Sequence, residues 1–276
     1  MIEKKILIRR LSFALYFVVA FLFFLFFLFP FDRVKAVLES EVRRRTQLEL
    51  SVARISPRFL NRFVLSDVVL SDRQGNVLFE SPSVSMTVSL FSLLRGGVAA
   101  ALTSRAYGGR VLVKVQQAPG RQYLMVDADG LDIGSYTLLK NAGFTLNGKI
   151  GGNFEMTGDS GKGRISVKNI SSRRLTIKGF PVPDLDFESG WVDVEMRGER
   201  LTVKKLELEG KDLKVRATGD VAMRGQGPIS LAVKLKPSER LVHEQAALFS
   251  FMKKDSEGYY QVVLGGLVSA PIPQFP

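Results

Sequence analysis

Residues 144–157 read FTLNGKIGGNFEMT, and their alternation decides the fold. In an extended chain successive side chains point to opposite faces. Phe144, Leu146, Gly148, Ile150, Gly152, Phe154 and Met156 then share one face. Thr145, Asn147, Lys149, Asn153, Glu155 and Thr157 share the other. A strand apolar on one side and polar on the other belongs to an antiparallel sheet whose apolar face needs a cover.

The same period of two recurs along the chain. Val84, Met86, Val88 and Leu90 line one side of Ser83–Leu90. Leu213, Val215, Ala217, Gly219, Val221 and Met223 oppose Lys214, Arg216, Thr218 and Asp220. Val192–Met196, Leu201–Leu208, Ile229–Leu235 and Tyr260–Val268 are shorter examples. Asp159–Gly163, Gly198–Arg200, Gly210–Asp212 and Arg224–Pro228 supply turns between them. Short connections between alternating strands predict antiparallel hairpins and not βαβ units. Residues 144–156 and 213–223 also share a pattern, Gly152 matching Gly219 and Met156 matching Met223, which hints at an internal repeat.

Three helices should interrupt the sheet. Leu90–Arg95 stops at Gly96-Gly97 and Ser135–Ala142 at Gly143. Ser238–Met252 is the longest, with Ser238 as N-cap and an apolar stripe of Leu241, Val242, Leu248, Phe249 and Met252.

The N-terminus breaks the pattern. Leu11–Phe29 reads LSFALYFVVAFLFFLFFLF, 19 residues without a charge. At about 1.5 Å per residue this just spans a hydrocarbon core of about 30 Å. Phe-Pro-Phe-Asp follows with no small-residue cleavage site, so the run reads as an uncleaved signal anchor. Leu11, Phe17, Phe21, Phe24 and Leu28 are its membrane-embedded positions, and Arg9, Arg10, Arg33 and Lys35 flank it at the interface. Basic residues on both sides nearly balance, so charge alone does not orient it. The large β-rich remainder places the C-terminal bulk outside the cytoplasm. Residues 1–31 thus form a cytoplasmic head and anchor, 32–47 an amphipathic helix and 48–276 a β-rich domain, with a sub-boundary near 134–143. The helix either lies on the lipid surface or plugs the end of the sheet with Val34, Val37, Leu38 and Val42.

Composition narrows the chemistry. Of 276 residues none is Cys and one, His243, is His, which removes thiolate nucleophiles, Cys-ligated zinc and His-pair metal motifs. Asp127–Asp132 resembles a calcium loop, but Leu138 stands where the twelfth-position Glu is needed. Asp129-Gly130 reads instead as a turn and Asp132 as a helix cap. Gly158–Gly163 resembles a phosphate loop, but Met156 and Gly163 occupy key motif positions. The net charge of +12 divides into +3 from Glu3, Lys4, Lys5, Arg9 and Arg10 and +9 spread beyond residue 31. Spread charge without aromatic stacking partners argues against nucleic acid. No enzymatic function and no cofactor are expected. Leu146, Ile150, Phe154, Val215 and Val221 line either a filled core, the favoured reading, or an open apolar groove for a lipid ligand.

Several stretches carry a family resemblance. FVLSDVVLSD (63–72), GNVL (75–78), PSVSMTVSL (82–90) and LLRG (93–96) look like the start of AsmA-like membrane proteins. LNGKIGGNFEM (146–156), LKP (235–237), EGYY (257–260) and GGLVSAP (265–271) resemble the GspN family, protein N of type II secretion systems. The resemblance implies a β-rich periplasmic domain on a single inner-membrane helix. It further implies a non-enzymatic accessory subunit of the machine that exports folded proteins, with inner-membrane secretion subunits and the lipid bilayer as partners. It includes no site motif, so no binding residue carries over. An AsmA-like lipid-binding or lipid-transfer protein is the alternative.

Overall fold

The computed structural model describes residues 16–17, 31–46, 48–59, 61–136, 145–173, 176–177, 180–181, 184–222, 227–267 and 270–275. Its main element is a single sheet of 14 strands in which every neighbouring pair is antiparallel. The strands are β1 (Leu48–Phe59), β2 (Arg62–Asp72), β3 (Val77–Val88), β4 (Val98–Ala106), β5 (Gly109–Ala118), β6 (Arg121–Asp132), β7 (Thr145–Thr157) and β8 (Ser160–Arg173). After a two-stranded ribbon, β9 (Thr176–Ile177) with β10 (Phe180–Pro181), the sheet resumes. It continues through β11 (Leu185–Arg197), β12 (Arg200–Gly210), β13 (Leu213–Ala222), β14 (Ile229–Pro237), β15 (Tyr260–Leu267) and β16 (Ala270–Gln274). Apart from the ribbon, strand order follows chain order, a plain meander. The mainly β expectation therefore holds, and residues 145–157 of the quoted stretch form β7 with the predicted alternation of half-buried and exposed residues.

Register carries the pattern from strand to strand. Directly paired residues in an antiparallel sheet share a face. Phe63 pairs with Met86, Met86 with Leu102, Leu102 with Val113, Val113 with Val126 and Val126 with Phe154. The row goes on through Gly163, Val194, Val203, Gly219, Leu231 and Leu264. Every member of this line, from β2 to β15, is apolar or glycine.

Helices cover this face at its two ends. Helix α1 (Phe31–Arg45) lays Val34 and Leu38 on a cluster of Val52, Ile55, Leu65, Val68 and Val84, of which Val52 is fully buried. The Glu39 carboxylate accepts the Val52 N–H at 3.0 Å, occupying a donor of the edge strand. The plug reading of α1 is thus realised, although Val37 points away and is 64% exposed. At the other end, α3 (Glu239–Glu244) and α4 (Ala246–Ser250) bury Leu241 and Phe249 against Leu213, with Leu185, Phe187, Val215 and Tyr260 around them.

Some expectations need correction. The helix expected over Ser238–Met252 breaks at Gln245 (φ −120°, ψ 34°), and Leu248 faces solvent. Its N-cap holds, since the Ser238 hydroxyl accepts the Leu241 N–H at 3.3 Å. Asp129-Gly130 does not turn the chain. It forms a bulge inside β6, where Gly130 takes φ +66° and the pairing with β7 shifts register. Asp132 caps as read, accepting from Gly134 N–H, but onto a 3₁₀ turn, Ile133–Ser135. Residues 137–142 of the helix expected there lie outside the described residues. So do the flanking Arg9 and Arg10 and most of the expected anchor, including Leu11, Phe21, Phe24 and Leu28. Phe17, with Tyr16, is helical and exposed. Among the described residues no helix is long and apolar enough to cross a membrane.

Candidate functional site

The side chains expected to line a groove or core share one face. Ile150 of β7 pairs with Val167, Val167 with Gly190, Gly190 with Leu208 and Leu208 with Val215 of β13. Phe154 and Val221 stand on parallel rows, reached through Val194 and through Leu201. Leu146 reaches Leu185 through Ser172. All five are half-buried. Val215 packs within the C-terminal cluster, at the covered end.

The middle of this face has no helix over it among the described residues. No apolar side chain on β5, β6, β7, β8 or β11 is buried, whereas β1 to β3 and β13 hold buried Val, Leu, Ile or Ala. Ile165, on β8 between Gly152 and Val192, is 41% exposed although it belongs to the apolar face. A soluble sheet normally covers such a surface, since each square ångström of apolar area left in water costs about 25 cal/mol. Five strands at about 4.8 Å spacing make this uncovered span roughly 19 Å wide. One leaflet of a hydrocarbon core of about 30 Å is shorter than this width.

Glycine shapes the floor. A methyl group built at Gly161 would lie 2.7 Å from Phe154 Cζ, and one at Gly163 would lie 2.8 Å from Phe154 Cδ2. The Phe154 ring therefore lies over two β8 glycines. Such aromatic cover over strand glycine offsets the packing that glycine lacks.

The reverse face is charged and internally paired. Arg164 Nη2 donates to Asp193 Oδ2 at 2.7 Å, with a second bond between Nε and Oδ1. This pair raises the Arg164 pKa and holds the Asp193 carboxyl below its usual value. Arg164 and Lys205 both stand over the Trp191 ring. Lys204 meets Glu195 at 3.0 Å and Arg216 meets Glu207 at 3.4 Å. Much of the positive charge is therefore spread among ion pairs on a solvated strand face. Lys35, expected at the membrane interface, reaches the Ala53 carbonyl at 3.5 Å, and Arg33 is exposed.

A second feature was not foreseen. β3 pairs with β4 only from Val84 to Val88. Beyond that point the strands part around a space of about 650 Å³. Tyr107 caps it: its hydroxyl accepts the Glu80 N–H at 2.9 Å, and its ring meets Phe79 and Tyr136 edge-on. Burial raises the pKa of both tyrosines, so they stay neutral. Ser81 and Ser104, both buried, close the inner wall with a 2.7 Å hydrogen bond.

His243 is exposed on α3. Among the described residues no three His, Cys, Asp or Glu side chains group to hold a metal. No family model, curated protein or solved structure matches the chain.

Proposed function

We propose that this chain is a non-enzymatic, membrane-anchored envelope protein whose sheet curves about its apolar face and holds lipid acyl chains there. One observation carries the reading. The apolar row is unbroken from β2 to β15, yet among the described residues α1 and α3–α4 cover only its ends, leaving Ile165 open in the middle. Leu146, Ile150, Phe154 and Val221 are its lining residues. The expected anchor over Leu11–Phe29 keeps the sheet beside an inner membrane from which lipid could enter, with the C-terminal bulk in the periplasm.

Lipid extraction and mass spectrometry of the full chain, purified in mild detergent, test this. The expected result is co-purified lipid above the detergent blank, largely lost in Ile165→Glu and retained in Asn153→Glu on the opposite face. A folded wild-type chain carrying no lipid would sink the reading.

A second reading rests on the GspN-like stretches, above all Leu146–Met156 in β7. There the chain is an accessory or assembly component of the type II secretion system and binds other inner-membrane subunits. Deleting its gene would then impair release of secreted proteins. Normal release from cells with an intact secretion complex would count against it.

A further inference from the structure

The strands alternate in direction, so their connections fall at two opposite edges of the sheet. One edge carries the β1–β2, β5–β6, β7–β8 and β11–β12 turns and the short helix α2 (Leu90–Leu94) between β3 and β4. Here Leu90, Phe91 and Leu94 are 49%, 61% and 87% exposed. They are not a loose loop. Ser89 Oγ accepts the Ser92 N–H at 3.3 Å, the Ser92 carbonyl accepts from Gly97, and Gly96 ends the helix at φ +72°. Backbone bonds therefore hold the apolar side chains outward.

The charge of this edge is equally one-sided. Arg58, Arg62, Arg95, Arg121, Arg197 and Arg200 stand at its turns, and all are exposed. The acidic side chains at the same turns are Asp159 and Glu199. At the opposite edge basic residues mix with Asp72, Asp132, Asp186 and Asp212.

A third observation concerns the chain's own route. α1 ends at Arg45 next to the start of β1, at the opposite edge, and packs back along β1 through Glu39 on Val52 and Val34 and Leu38 on the cluster containing Ile55. Its N-terminus therefore points toward the α2 edge, and the expected anchor precedes it in sequence.

We propose that the α2 edge docks on an anionic bilayer surface. Leu90, Phe91 and Leu94 enter the boundary between headgroups and acyl chains, and the neighbouring arginines meet lipid phosphates. The sheet then stands on the membrane with the start of its apolar face at the lipid. The inference takes from the proposed function only the anchoring by residues 11–29, and it does not require lipid to be carried.

Bromolipid quenching of tryptophan in the full chain tests it. In a Trp191→Phe background, Phe91→Trp reports on the α2 edge. Phe251→Trp, 70% exposed at the opposite edge, serves as the control. The chain is reconstituted into vesicles of phosphatidylcholine and phosphatidylglycerol with brominated acyl chains. Quenching should be several-fold stronger at position 91 than at 251 and should weaken when phosphatidylglycerol is omitted. Equal quenching at both positions, or none at 91 in a chain that floats with the vesicles, would overturn it; the latter would leave α2 to a protein partner. A chain that fails to float would overturn it together with the anchor. Lipid retained by the purified chain is measured separately, so the two proposals fail by different results.

Discussion

Single residues decide where this sheet is smooth and where it is tied. At Gly161 and Gly163 the missing side chains let the Phe154 ring lie flat. That relation was half-legible in sequence: alternation put Phe154 on the apolar side, but glycine has little hydropathic signal, so β8 was not recognised as part of the same floor. Ile165 was missed for the same reason, being flanked by Arg164 and Ser166 in a glycine-rich strand. Asp255 shows the opposite role. Its carboxylate accepts the N–H groups of Tyr259 at 2.8 Å and Glu257 at 3.0 Å, and Lys234 at 3.0 Å. The Tyr259 bond first, then Lys234, pushes its pKa from 3.8 down to about 2. A carboxyl depressed on folding stabilises the fold above its ordinary pKa and loses that contribution as pH falls through the folded value. Urea midpoints of the wild type and Asp255→Asn should therefore differ at neutral pH and converge between about pH 4 and about pH 2. A difference that stays constant over this interval would show that Asp255 is not the titrating tie.

Elements were more legible than their contacts. Period two marks β3, β7 and β11 to β15, and glycine-containing turns mark the β7–β8 and β11–β12 hairpins. Bulges were not readable, because Asp129-Gly130 has the composition of a turn whether the chain reverses or only steps out of register. The longest predicted helix broke in two at Gln245, a residue with no breaker character. Helical spacing in α1 named Val34, Val37, Leu38 and Val42, but spacing gives a stripe about 100° wide and not which edge of it faces the sheet. Contacts make Leu38 the inward residue and Val37 the outward one. Leu38→Ala should then cost about 2 kcal/mol, the low end for a buried leucine because Leu38 is half-buried. Val37→Ala should stay within about 0.5 kcal/mol. Denaturant titration of the two variants gives the comparison, and equal losses would mean that α1 sits on the sheet in another rotation.

For the whole molecule, the continuous apolar row sets up an imbalance. A meander in which, the β9–β10 ribbon apart, each strand pairs only with its sequence neighbours passes stability along one dimension, so covered and uncovered regions need not open together. Hydrophobic burial is concentrated where α1 packs on β1–β3 and where α3–α4 pack on β13–β15. Between them, among the described residues, backbone ladders hold β5 to β8 and β11 together without a buried apolar layer, with the Arg164–Asp193 pair joining β8 to β11 on the other face. Lipid-free protein should accordingly exchange amide hydrogens faster in β5–β8 than in β1–β3. A ligand that binds only the folded middle stabilises it by mass action, about 2.7 kcal/mol at a concentration one hundred times its Kd. Added phospholipid should thus slow exchange first in β5–β8 and β11, by up to about a hundredfold where local opening controls it. Amides of β1–β3, already covered by α1, should change little. Slowing spread evenly over all strands, or confined to the covered ends, would mean that lipid does not occupy the open middle of the sheet.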